Sequence, residues 1–170
     1  VVHEMINRLE TTITTKPSPH KPVSYKATFD PSKVVSYEKI LELAQAGEIG
    51  KSVTLIDARS NARFTGAVAE PRAGISSGHV PGAANLPFNE LLTPNKSFLS
   101  RMTLDSVIKE HNIDESRPII VMCGTGVTAC VVRTGLILAG FNPDNIAVYD
   151  GSWTEWAMRA PKSLLAKGDA

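Results

Sequence analysis

The sequence predicts an α/β protein: a parallel sheet of about five strands with helices on both faces. Three observations carry that prediction. Short apolar runs recur at Val34-Val35, Val53-Thr54-Leu55-Ile56, Ala84-Asn85-Leu86, Ile119-Ile120-Val121 and Ile146-Ala147-Val148-Tyr149. Unbroken β-branched runs of this kind suit strands covered on both faces. Helical patterns alternate with them, and the chain of 170 residues is long enough for one domain with a sizeable core and some extra length.

Taken in order, Val2, Met5, Ile6 and Leu9 form a weak helical pattern that the following threonine run breaks. Lys16-Pro17-Ser18-Pro19-His20-Lys21-Pro22 has linker composition. Residues 1–24 therefore read as a tail or interdomain linker, with a terminal extension wrapping its own domain as the alternative. Residues 25–170 read as the domain proper. The chain opens Val1-Val2 rather than on Met, as a fragment or processed form would.

Tyr25 to Phe29 reads as a short extended segment. Ser36 is a suitable N-cap, Ile40, Leu41, Leu43 and Ala44 fall on one helical face, and Gly47 closes that helix. Val53 to Asp57 is a buried strand ending in Asp57-Ala58-Arg59, and strand ends are where open α/β sheets build sites. A long polar loop, Ser60 to Gly78, carries Arg63 and Arg72; loops of this length in compact domains are usually binding loops. His79, in Gly78-His79-Val80-Pro81-Gly82-Ala83, more often fixes such a turn than acts as a base.

Residues 87–102 look irregular, and Thr103 to Glu110 forms an amphipathic helix. The strand Ile119 to Val121 runs into a glycine-rich turn, and apolar residues recur from Val127 to Leu138 as a helix. After the last strand, Asp150-Gly151-Ser152 caps a helix from Trp153 to Met158 whose tryptophans are core anchors. The tail from Pro161 reads as polar and frayed.

Composition excludes several classes. Hydrophobic residues make up 42% and charged residues 21%, ordinary for a globular protein. The net charge of +1 argues for neither nucleic acid nor a membrane surface. No apolar run is long enough for a membrane span, and no signal peptide is visible. The two cysteines, Cys123 and Cys130, suggest neither a metal site nor a disulfide framework, which points to a reducing compartment.

The chemistry concentrates at Cys123-Gly124-Thr125-Gly126-Val127-Thr128-Ala129. A strand that turns into a helix leaves unpaired N–H groups whose field favours an anion. Gly124 and Gly126 let the backbone curl so that these groups point inward. A thiol there loses its proton more readily, so Cys123 reads as a thiolate nucleophile; the alternative is a small hydrophobe at a strand end.

Three chemistries use such a loop. Gly124-x-Gly126-x-x-Ala129 formally matches a dinucleotide fingerprint, with Asp150 ending the next strand, but too little chain follows for that fold. A cysteine phosphatase needs Cys-x5-Arg, yet Ala129 holds that position and Arg133 lies ten residues on. The third is sulfur transfer, in which a persulfide sits in the cradle. A loop without charged residues suits one sulfur anion better than a phosphate.

Here the chain resembles the rhodanese-type sulfurtransferases, and in detail the CG[S/T]GVTA loop of their 3-mercaptopyruvate branch. Asp57-Ala58-Arg59, Arg63-Phe64-x-Gly66, Glu70-Pro71-Arg72-x-Gly74-Ile75, Gly78 to Ala83, Asn85-Leu86-Pro87-Phe88 and Tyr149-Asp150-Gly151-Ser152-Trp153-x-Glu155-Trp156 extend the likeness, in order, from about Tyr25 to Arg159. The resemblance implies a rhodanese-like fold and the catalytic second domain of a two-domain enzyme. It carries the nucleophile onto Cys123 and the persulfide cradle onto Gly124, Thr125, Gly126, Val127 and Thr128. It carries the substrate carboxylate and ketone contacts onto Arg63 and Arg72, where arginine suits a planar carboxylate.

The implied reaction passes sulfur from 3-mercaptopyruvate to a thiol, thioredoxin, cyanide or a sulfur carrier, with no cofactor and no metal. An N-terminal rhodanese domain is the implied partner, and cytoplasm or mitochondrion the compartment. Thr125 stands where many members have serine. The alternatives are a thiosulfate-preferring enzyme, although such enzymes tend to carry basic residues in the loop, and a non-catalytic docking module, which usually lacks the cysteine. Cys130 is expected to pack against the sheet, roughly 10 Å along the helix axis from Cys123.

Overall fold

The computed structural model describes residues 22–168. The N-terminal helical pattern and most of the linker lie outside them. Four strands form one parallel sheet: β1 (Thr54–Asp57), β2 (Ala84–Asn85), β3 (Ile119–Met122) and β4 (Ile146–Val148), in the order β2-β1-β3-β4. In register, Leu55 lies opposite Ile120, and Ile120 opposite Ala147. The fifth expected strand is a single parallel bridge, Val34 to Val148, beside which Val35 N–H donates to Val148 O at 2.8 Å. Residues 25–29 are exposed and pair with no strand.

Every residue of β1 and β3 is buried, as their apolar runs require. Their side chains alternate between two cores. Leu55, Ile120 and Met122 pack with Ile40 of α1 (Tyr37–Gln45) and with Trp153 and Trp156 of α5 (Ser152–Arg159). Ile56, Ile119 and Val121 pack with Leu104 and Ile108 of α3 (Arg101–Glu110) and with Val132 and Leu136 of α4 (Val127–Ala139). Helices thus cover both faces.

Ser36 caps α1 by accepting from Lys39 N–H, and Gly47 follows it with φ +65°. Ser100 caps α3 in the same way through Thr103 N–H, so that helix begins before Thr103. The stretch before it is not wholly irregular, since Phe88–Leu91 forms a 3-10 turn.

Three expectations need correction. The Ser60–Gly78 loop opens with a short helix, α2 (Asn61–Phe64), because Phe64 is drawn into the core. The turn before α5 caps through no side chain; the Ser152 hydroxyl instead turns inward. The tail is docked rather than frayed. Trp156 Nε1 donates to Leu164 O at 3.1 Å, His79 and Ala166 exchange two backbone hydrogen bonds, and Gly168 N–H donates to Thr65 O at 2.8 Å. Leu164 and Leu165 pack on the tryptophan core, which anchors that segment.

Candidate active site

Cys123 follows the last residue of β3 and is 2% exposed. The first turn of α5 grips its backbone. Cys123 N–H donates to Ser152 Oγ at 3.0 Å, and Cys123 O accepts from Trp153 N–H at 2.9 Å. Gly124 O accepts from Thr154 N–H at 3.1 Å and from its hydroxyl at 2.8 Å. In a trans peptide, C=O and N–H point opposite ways. With the Gly124 carbonyl committed to α5, Thr125 N–H faces the other way, toward the sulfur.

Gly126 supports this curl from beneath. Its φ is +83°, and a Cβ there would stand 2.9 Å from Asp150 O, so only glycine fits without displacing backbone. It does not line the cavity; it holds the turn. The result acts on the thiol. Burial pushes the Cys123 thiol up, but the Thr128 hydroxyl and the N–H groups of Thr125, Ala129 and Thr128 outweigh burial and hold it below the ordinary thiol value.

A cavity of about 290 Å³ opens over the sulfur. Of the residues singled out from sequence, Cys123, Gly124, Thr125, Val127, Thr128, Arg63 and Arg72 line it. Arg63 comes from α2, with Nη2 3.2 Å from where a Gly124 Cβ would stand. Hydrogen bonding to Glu70 raises the Arg63 pKa against the opposing effect of burial, and the charges of Glu70, Asp57 and Cys123 add to the rise. Arg72 is exposed at the rim and forms no ion pair among the described residues.

Sequence reasoning assigned no role at the site to Glu70, Ser152 or Thr154. Glu70 lies seven residues after Arg63, a spacing with no local signature. Ser152 and Thr154 reach the loop only because β4 lies beside β3. Arg59, at the strand end, stays out of the cavity. It is buried against Asp57, donates to Gly78 O at 2.6 Å and stacks on Trp153 at 4.4 Å.

His79 is structural, its Nδ1 2.9 Å from Phe64 O and its ring stacked on Phe64. Arg133 donates to Ile146 O and Pro143 O, far from a phosphate-binding role. Cys130 does not pack on the sheet as expected. It is exposed, because Ala129 and Val132 hold the buried face of α4. Among the described residues no His, Cys, Asp and Glu cluster is placed to hold a metal, and no helix is long and apolar enough to cross a membrane.

Residues 38–159 match the rhodanese-like domain family. The chain belongs to it. This rhodanese-like domain is 42% identical over 152 residues to 3-mercaptopyruvate sulfurtransferase of Rattus norvegicus, covering 89% of the chain and 49% of that relative. It is 37% identical to the thiosulfate sulfurtransferase TUM1 of Saccharomyces cerevisiae, covering 88% of the chain and 52% of that relative. The crystal structure of the S. cerevisiae Tum1 protein superposes with a TM-score of 0.81 at 37% identity, covering 90% of the chain and 53% of Tum1. A cryo-EM structure described as the yeast mitochondrial complex I sub-stoichiometric sulfur transferase subunit superposes at 0.80 with 46% identity, again over 90% of the chain and 53% of the other. The rhodanese-like domain thus spans about half the length of these relatives.

Proposed function

We propose that this chain is the catalytic domain of a sulfurtransferase that moves sulfur from 3-mercaptopyruvate to a thiol through a persulfide on Cys123. The observation that carries the reading is the buried, acidified Cys123 thiol beneath a cavity rimmed by Arg63 and Arg72. Arg63 and Arg72 bind the donor's carboxylate and ketone. The Cys123 thiolate attacks the donor sulfur and forms the S–S bond. The C–S bond breaks, its electron pair stays on carbon as the pyruvate enolate, and a proton then gives pyruvate.

The persulfide rests in the cradle of Gly124, Thr125, Val127 and Thr128, whose turn Gly126 holds. An acceptor thiolate, on a small molecule, thioredoxin or a sulfur carrier, attacks the outer sulfur and returns the Cys123 thiolate. The half-length coverage of the relatives supports an N-terminal rhodanese domain as the partner. The mitochondrial relative supports the mitochondrion, with the cytoplasm as the alternative compartment.

A second reading, thiosulfate as donor, is favoured by the TUM1 likeness. There the same thiolate attacks the outer thiosulfate sulfur and sulfite leaves with the bonding pair. Incubation with either donor, read by intact mass, tests the proposal. Cys123 is expected to gain one sulfur atom, and Cys123→Ser none. No gain from either donor, even with an N-terminal domain restored, refutes it.

A further inference from the structure

Glu70 holds Arg63 from behind. Its Oε1 accepts from Arg59 Nη1 at 2.9 Å and from Arg63 Nε at 3.0 Å, and its Oε2 accepts from Arg63 Nη2 at 2.5 Å. The Glu70 side chain is 4% exposed. It cannot swing outward with Arg63, because Arg59 is fully buried and pinned in turn by Asp57, Gly78 O and Trp153. The pairing occupies two guanidinium nitrogens and leaves Nη1 of Arg63 without a hydrogen-bond partner among the described residues. A bidentate carboxylate pair of this kind fixes the guanidinium plane.

The arrangement also sets the charge that reaches the cavity. Asp57 and Arg59 offset each other, as do Glu70 and Arg63. Arg72, exposed and unpaired among the described residues, supplies the remaining positive charge. Cys123 lines the same cavity.

We propose that Glu70 is the positioning residue for Arg63 and, by offsetting its charge, makes the pocket favour a singly charged sulfur donor over a doubly charged one. This rests on the sulfur-transfer reading above. 3-Mercaptopyruvate carries one carboxylate, whereas thiosulfate carries two negative charges. Thiolate attack therefore gathers one more negative charge around thiosulfate, and the field of Glu70 opposes that extra charge.

The test compares the 170-residue chain with Glu70→Gln and Glu70→Asp, reading the rate of sulfur gain on Cys123 by intact mass with each donor. Glu70→Gln keeps the shape and removes the charge, so the thiosulfate rate rises relative to the 3-mercaptopyruvate rate, on the order of tenfold. Glu70→Asp keeps the charge and shortens the reach, so both rates fall and their ratio holds. An unchanged ratio in folded Glu70→Gln overturns the proposal.

A second measurement needs no variant. Sulfate and methanesulfonate share a tetrahedral shape and differ by one charge. At matched ionic strength, methanesulfonate is expected to protect Cys123 from iodoacetamide at least as well as sulfate. Protection by sulfate alone, or by neither anion, overturns the proposal. If neither donor loads Cys123, the sulfur-transfer reading fails, while the anion comparison still decides whether the pocket favours a singly charged ligand over a doubly charged one.

Discussion

The Cys123 N–H donates to Ser152 Oγ at 3.0 Å, and that hydroxyl donates onward to Tyr149 O at 2.8 Å. Ser152 is fully buried and held at φ +53°, a conformation unusual for a residue with a side chain. The Cys123 backbone is therefore located by the start of the following β–α unit. We predict that Ser152→Ala, which leaves the Cys123 N–H unpaired, destabilises the fold by about 1–3 kcal/mol. Sulfur gain on Cys123 slows with it. Denaturant titration and intact mass check both.

The lowered Cys123 thiol sets a pH dependence. Thiolate reactivity toward iodoacetamide should rise with pH through a midpoint below that of an ordinary, unperturbed thiol. The sign for stability follows from the same shift. The folded value lies below the unfolded one, so the contribution is fully present above the unfolded value and is lost as pH falls through the folded value. Thr128→Val removes the strongest of the lowering interactions, and its alkylation midpoint should move up. A midpoint that stays in place would argue that the backbone N–H groups alone hold the thiolate.

Arg59 holds the buried charges together. Arg59→Met leaves the Asp57 and Glu70 carboxylates without their buried partner and is expected to cost about 3–5 kcal/mol. Chemical denaturation measures this. A loss below about 1 kcal/mol, the range of exposed pairs, would contradict the burial argument.

Arg72 should behave in the opposite way. It is exposed and forms no ion pair among the described residues. Arg72→Met should leave stability within about 0.5 kcal/mol. Donor capture should nonetheless fall, seen as a higher donor concentration for half-maximal loading of Cys123. Equal loading by both proteins would remove Arg72 from the donor site.

The docked tail gives a further expectation. Removing residues 162–168 exposes Trp156 and strips His79 of its backbone partner Ala166. The melting temperature should drop by several degrees, as a loss of about 1–2 kcal/mol would produce in a domain of this size. No change would mean that the Leu164 and Leu165 packing adds nothing.

By itself the sequence determined the β3–loop–α4 unit and the place of Cys123 at its turn. Those features are local: a β-branched run, two glycines and a cysteine at a helix start specify them within one stretch of chain. It also determined the alternation of strands and helices, and the cap at Ser36, through periodicity and single residues. Tertiary structure alone decided what surrounds the sulfur. Ser152 and Thr154 meet Cys123 and Gly124 across 29 and 30 residues of chain because β4 lies parallel beside β3. Glu70 meets Arg63 and Arg59 because the loop after β1 folds back over a buried guanidinium. Such contacts leave no periodic trace, since hydrogen bonds and ion pairs depend on atoms brought within about 3 Å by packing rather than on residue spacing.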